Sequence, residues 1–351
     1  MNNTTEFVFG SELQGNGKIS KVNVVIGVAI ALLATVGIIL GIANLYYIKT
    51  VKIFHNAFGW FWASRTVGEM LMEIENALYI GPVTATQLRN IPTWLGISPY
   101  VVVIIGSVSA CCMHGVIALN RNMAVFKPLH YSLIFSKTNS FAIIAFSWVS
   151  GVLVVPLFFV FPCNVVGYSP QQYTYIFLKC YAGQERDFSY VGTVINHFCL
   201  TLCVCTVLID ISTLIKIIHI RVVLKTHKND RMFNRNVRFF MQSAFQNVIM
   251  VTTLVVLVQR NYQNIPQELL RDAEKALNLT EVFTLIFTHI ANPLSLLLFN
   301  PEIRRRLFAR AGVDVQDTNS NPNNSQKSAP SPRNVWQPTT RTIGQNSETS
   351  A

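Results

Sequence analysis

Several stretches of twenty or more consecutive residues in this chain contain no aspartate, glutamate, lysine or arginine. Each is long enough, as a helix, to cross a hydrocarbon layer about 30 Å thick. In water such a helix would be apolar on every side. In lipid, a helix is one of the few structures that satisfies its own backbone polar groups. Charged residues are correspondingly scarce, at 13% of the chain against about a quarter in a typical soluble domain, and mean hydropathy is +0.37. These values exclude a soluble enzyme.

Seven spans meet the criterion: Val22–Ile48, Phe54–Ile80, Gly96–Asn120, Ser140–Phe161, Tyr190–Ile215, Phe239–Val258 and Leu279–Phe299. The first begins too far from the amino terminus, and runs too long without a charge, for a cleaved signal peptide. The second is weak on hydropathy because it holds Arg65, Glu69, Glu73 and Glu75. It is kept because without it the alternation of charge between loops breaks down. With seven spans counted, one set of loops together with the segment through Arg310 just after the last span carries sixteen lysines and arginines, and the other set carries eight. Positively charged loops stay in the cytoplasm, so the amino terminus is expected outside the plasma membrane. The expected organisation is an extracellular segment over 1–21, a seven-helix transmembrane domain over 22–299, an amphipathic membrane-surface helix over 300–311 and a disordered cytoplasmic tail over 312–351. The short helix is read from Asn300-Pro301-Glu302, an N-cap followed by proline and an acid in the first turn. Ile303, Leu307 and Phe308 give it an apolar edge beside Arg304, Arg305, Arg306 and Arg310.

Asn2, Asn3 and Asn278 begin glycosylation sequons on the expected outer side. The net positive charge falls between apolar spans, where it suits anionic lipid and acidic protein surfaces better than nucleic acid. No phosphate-binding glycine loop or nucleic-acid motif is present, and no cofactor, metal, catalytic activity or nucleic-acid partner is expected. Cys111 and His114, three apart on one helix, are two ligands without a third. They read as packing residues, as do His197 and His289, each lone in an apolar span.

The run Asn120-Arg121-Asn122-Met123-Ala124-Val125-Phe126-Lys127-Pro128-Leu129-His130-Tyr131, at the inner end of the third span, resembles the signature of rhodopsin-like G-protein-coupled receptors. Gly41 with Asn44, Trp148 with Pro156, and Asn292-Pro293 add to the likeness. Ile53-Phe54-His55-Asn56-Ala57-Phe58-Gly59, the Asn-Arg form of the triplet, Ile134-Phe135-Ser136, and Leu298-Phe299-Asn300-Pro301-Glu302-Ile303-Arg304 look more narrowly like the nematode serpentine chemoreceptors of class X. The resemblance covers about residues 22 to 310. It implies an all-α, seven-transmembrane-helix bundle with a short eighth helix. Its function would be that of a chemosensory receptor converting an external small-molecule or peptide ligand into activation of a heterotrimeric G protein. Asn120 and Arg121 would meet that G protein, and Asn44, Asn292 and Pro293 would form the switch region. The alternative reading of Arg121 is positive-inside anchoring alone, and the Ala-Val…Pro-Leu-x-Tyr run that matches around it as a block favours the coupling role.

The chain departs from the rhodopsin-like pattern. Asn120 replaces the usual acid, and the inner end of the sixth span has no acid beyond Asp230 to lock Arg121. Leu296 stands at the seventh-span tyrosine position, the sixth span lacks Trp-x-Pro, and the second lacks a mid-span aspartate. A salt-bridge lock, a sodium site and the standard aromatic switch are therefore not expected. Nor is there a cysteine at the outer end of the third span. Cys163 and Cys180, seventeen apart in one outer loop, can pair with each other or remain free thiols.

Arg65, Glu69 and Glu73 recur every fourth residue and form one stripe along a helix. Charges at that depth turn away from lipid. Two readings stay open: the stripe borders the ligand cavity, with Arg65 pairing Glu69, or it is an internal ion-pair ladder. The rival function is a seven-span transporter or channel that uses the charged second helix as a substrate path, although no duplicated halves or paired broken helices accompany it.

Overall fold

The computed structural model describes residues 7–223, 247, 249, 251 and 267–310. The described residues are mainly helical. In chain order they give α1 Lys21–Thr50, α2 Ala57–Glu75, a π-helical turn Asn76–Ile80, α3 Gly81–Thr86, α4 Thr93–Phe126, α5 Pro128–Ile134 and α6 Lys137–Val160. A two-stranded hairpin follows, then α7 Tyr190–Val223, α8 Gln267–Phe299 and α9 Pro301–Arg310. Residues through Leu307 form one compact unit and Phe308–Ala351 a second, described only as far as Arg310.

Among the described residues five helical segments are long and apolar enough to cross a membrane: Lys21–Thr50, Thr93–Phe126, Lys137–Val160, Tyr190–Ile220 and Glu274–Phe299. They correspond to the expected first, third, fourth, fifth and seventh spans. The second has the length but not the hydropathy, because of its four charges. It also runs past the expected Ile80 to Thr86, through the π turn. The sixth span, Phe239–Val258, lies outside the described residues except at 247, 249 and 251.

Several helices are built inside out relative to a soluble protein. On α6 the buried residues are Ser140, Ser147, Gly151 and Phe158, whereas Phe146, Leu153 and Val160 face outward at 64% exposure or more. Small polar residues inside and large apolar ones outside mark a bundle solvated by lipid. Ser109 and Ser147 exchange hydroxyl-to-carbonyl hydrogen bonds across α4 and α6, and Trp148 Nε1 donates to Ser64 Oγ at 3.0 Å, tying α6 to α2. This is a multi-pass membrane protein.

Residues at the helix starts define the boundaries. Ser20 Oγ, Asn56 Oδ1 and Ser136 Oγ accept from the amides of Asn23, Gly59 and Asn139, each satisfying a donor that the first helical turn leaves orphaned. Gly68 and Gly106 set the central packing of α2 on α4. A Cβ on Gly68 would come within 2.9 Å of the Gly106 carbonyl oxygen, and a Cβ on Gly106 within 2.8 Å of that of Gly68. The close approach brings the charged stripe of α2 to the middle of α4.

One end of the bundle is closed by the hairpin β1 Val166–Ser169 and β2 Thr174–Phe177, antiparallel with Tyr168 opposite Tyr175. Its turn is fastened on several sides. Tyr173 Oη donates to Asn23 Oδ1 of α1, Gln87 Nε2 to the Pro170 carbonyl, Gln171 Nε2 to the Gln14 carbonyl, and Asn278 Nδ2 of α8 to the Gln172 carbonyl. Cys163 and Cys180 are disulfide-bonded, with 5.7 Å between their Cα atoms, and the bond brackets the hairpin. The amino-terminal segment joins this cap through Leu13, which is fully buried, and through paired hydrogen bonds between Gln14 and Ile91.

At the opposite end Tyr47, Phe54, Phe61, Trp62, Ile117 and Leu296 form an apolar cluster that Ile303 of α9 enters. Asn300 Oδ1 caps α9 by accepting from the amides of Glu302 and Ile303. Ile303 is completely buried, so this part of the expected apolar edge belongs to the bundle rather than to a lipid-facing stripe.

Candidate functional site

The charged stripe of α2 is the start of a buried polar chain across the bundle. Arg65 Nε donates to Glu69 Oε1 at 2.8 Å, and both side chains are about 95% buried. The same carboxylate oxygen accepts from Asn292 Nδ2 of α8. One turn further along α2, His289 Nδ1 meets Glu73 Oε1 at 2.6 Å. Pro293 stands between the described turns of α8 and supplies no amide proton to the carbonyl of His289. The helix is therefore loosened where His289 and Asn292 reach across to α2.

In the other direction Arg65 Nη1 lies 2.7 Å from His114 Nδ1 on α4. A guanidinium can only donate, so Nδ1 accepts and the ring proton sits on Nε2. His114 Nε2 then donates to Asn247 Oδ1 at 3.2 Å, and Asn247 Nδ2 donates to Asp210 Oδ2 of α7 at 2.7 Å. Asp210 Oδ1 faces Arg121 Nη2 at 3.8 Å. An unbroken series of polar contacts therefore runs from Asn292 through Glu69 and Arg65 of α2, His114 of α4, Asn247 and Asp210 of α7 to Arg121, and the His289–Glu73 pair lies one helical turn along α2 from Glu69.

Four expected site residues meet here: Arg65, Glu69 and Asn292 directly, and Arg121 through its partners. Glu73 pairs with His289 one helical turn away from Glu69. Asn44, fully buried, donates instead to Thr66 Oγ1 at 2.9 Å and stands beside the chain on α2. Asn120 is also off it. Its amide exchanges hydrogen bonds with the Tyr131 hydroxyl at 3.1 and 3.3 Å, which fastens α5 to the end of α4. Burial raises the pKa of the Tyr131 phenol, an effect the Asn120 hydrogen bond partly offsets. Cys163 and Cys180 lie in the cap at the far end of the bundle.

The structure corrects three expectations. Arg121 does have an acidic partner, on the fifth span rather than at the sixth: Asp210, the only charge in Tyr190–Ile215. His114 and His289 are not simply packing residues: His114 links Arg65 to Asn247, and His289 on α8 pairs with Glu73 on α2. Asn278 cannot carry a glycan in this fold. It is 0% exposed and its amide nitrogen, the atom that would be glycosylated, is bonded to the Gln172 carbonyl. Asn2 and Asn3 lie outside the described residues. His197 is exposed and bonds only the carbonyl one turn back, and Cys111 packs against the Cys199 carbonyl and the Cys203 sulfur.

Asp210, Asn247, His114 and His289 are site residues that sequence reasoning missed. A lone aspartate in an otherwise uncharged span was the available signal for Asp210. Nothing local marked Asn247, whose partners lie 37 and 133 residues away in sequence.

A protein-family model described as serpentine type 7TM GPCR chemoreceptor Srx matches residues 32–267. The match includes Asn44, the α2 stripe, His114, Asn120, Arg121, Asp210 and both cap cysteines. No curated protein matches the chain.

Proposed function

The chain belongs to the Srx family of serpentine seven-transmembrane chemoreceptors, and we propose that it couples an external ligand to a heterotrimeric G protein at the plasma membrane. In this reading seven helices cross the bilayer, with the amino terminus and the hairpin cap outside and α9 and the tail inside. The chain catalyses nothing and needs no cofactor.

The buried polar chain is the observation that carries this proposal. Its members are on different helices, so a small rotation of α8 or α7 exchanges partners instead of stretching one bond. Packed helices linked by discrete hydrogen bonds have few intermediate arrangements. A ligand that draws on Glu73 or His289 changes the partners available to Glu69 and Asn292, and through Arg65 and His114 those available to Asp210. Release of Arg121 from Asp210 then frees its planar donor fork for carbonyl groups of an inserted partner helix. Asn292 and Pro293 act as the hinge, Asn44 holds α1 to α2, and Asn120 keeps α5 in place beside the docking groove. The ligand shifts a pre-existing equilibrium by its differential affinity for the two states.

Expression of the full chain in a heterologous cell, with second-messenger output and ion flux recorded in parallel against a panel of odorants and peptides, tests this. Ligand-dependent second messenger that disappears when the G protein is inactivated is expected. Flux that persists without G protein would instead establish the transporter or channel reading.

A further inference from the structure

Arg65 engages Glu69, which also takes a hydrogen bond from Asn292, and His289 engages Glu73. The fourth charge of α2, Glu75, is different. It is 7% exposed, and no basic side chain pairs with it among the described residues. Glu75 is the last residue before the π turn Asn76–Ile80. It stands outside the four-residue stripe, and a π turn so placed is a frequent mark of a functional position.

Around Glu75 are tyrosines from three elements of the cap. Tyr79 on the π turn, Tyr168 on β1 and Tyr175 on β2 are its electrostatic neighbours, and the Tyr175 hydroxyl faces the carboxyl. Their rings form a continuous wall with Tyr100 of α4. Centroids are 6.4 Å apart for Tyr79 and Tyr168, 5.6 Å for Tyr168 and Tyr175, and 5.1 Å for Tyr175 and Tyr100. The Tyr168 hydroxyl is held by Thr84 at 2.6 Å, whereas that of Tyr79 is buried with no partner among the described residues. Tyr100 also lines a small apolar cleft with Ile104, Phe158 and Val166.

We propose that Glu75 and the tyrosines Tyr79, Tyr100, Tyr168 and Tyr175 form the recognition site for an organic ammonium ligand. A carboxyl buried with no basic partner among the described residues gains from an ammonium ion, which supplies the counter-charge that lets it ionise, and aromatic faces bind alkylated ammonium groups through the ring quadrupole while repelling anions. The cleft beside Tyr100 takes the apolar substituent. The inference rests on the receptor reading for its biological meaning, and it makes the hairpin, pinned by the Cys163–Cys180 bond, part of the binding site. Occupation of Glu75 places positive charge two residues from Glu73, whose pair with His289 lies one helical turn from the Glu69 end of the polar chain.

The test is direct binding to the purified full chain in lipid nanodiscs, a readout that needs no G protein. The probes are a series from alkylamines to choline and longer alkyl-trimethylammonium ions, each compared with the neutral isostere carrying a tert-butyl group in place of trimethylammonium. Binding of one or more cations, with the matched isostere about tenfold weaker or worse, is expected. Glu75→Gln and Tyr175→Leu should each weaken that cation by about tenfold or more. Failure of every cation in the series, or equal binding of cation and isostere to the unaltered chain, overturns the proposal even if a variant cannot be purified. So does unchanged affinity in a folded Glu75→Gln chain. Cation binding without second-messenger output would instead remove the receptor reading and leave the site.

Discussion

Arg121 Nη2 and Asp210 Oδ1 face each other at 3.8 Å across α4 and α7, with side-chain exposures of 12% and 5%. The aspartate is also anchored by Asn247. In this arrangement the arginine is turned toward the bundle interior and is not free to reach a partner.

Asp210→Asn is therefore expected to raise ligand-independent signalling. The amide keeps an acceptor for Asn247 but gives up the charge that holds Arg121. Second-messenger output per receptor at the cell surface measures it, and a basal level equal to that of the unaltered chain would remove the restraint from the account.

Arg65→Met should destabilise the purified protein by about 3–5 kcal/mol, because it leaves the buried Glu69 carboxylate without its counter-charge. The double variant Arg65→Met/Glu69→Leu should lose less than the two single variants together, with a coupling of about 0.5–3 kcal/mol. Thermal unfolding of the four proteins in one detergent closes the cycle. Additive losses would mean that the contact contributes no pairwise energy.

Breaking the cap disulfide with Cys163→Ser should remove about 3 kcal/mol on a chain-entropy estimate for a loop of this size. It should also free the hairpin from one of its attachments. Non-reducing peptide mapping of the native protein is expected to recover Cys163 linked to Cys180, and alkylation of both thiols without reduction would exclude the bond.

Any glycan on the chain should sit on Asn2 or Asn3 and none on Asn278. Removing the two amino-terminal acceptors should abolish the glycosidase-sensitive mobility shift, and Asn278→Gln should leave it unchanged. A shift lost with Asn278→Gln alone would contradict the packing of α8 against the hairpin turn.

Features governed by local periodicity were legible in the sequence. Uncharged runs marked the apolar spans, four-residue spacing put Arg65 against Glu69, and Asn300-Pro301-Glu302 marked the start of α9. Asn278 shows where this fails, since a sequon reports local pattern and says nothing about the hairpin turn that buries it. The hairpin itself was hidden inside a segment read simply as a loop. Its hold on α1, α3 and α8 depends on Tyr173, Gln87 and Asn278 meeting from distant parts of the chain. His114 and His289 are likewise defined by partners 49 and 216 residues away, beyond the reach of any spacing rule. The four-residue count did set Glu75 apart from the stripe of Arg65, Glu69 and Glu73, but nothing local marked the π turn that follows it or the hairpin tyrosines that surround it.

Agonist-stimulated nucleotide exchange in membranes containing the full chain and a heterotrimeric G protein, compared between the unaltered receptor and Arg121→Ala at matched surface level, is the most direct test of the central claim. The account predicts robust exchange in the first and loss of exchange in the second, with agonist binding retained. Full exchange in the Arg121→Ala receptor would contradict it.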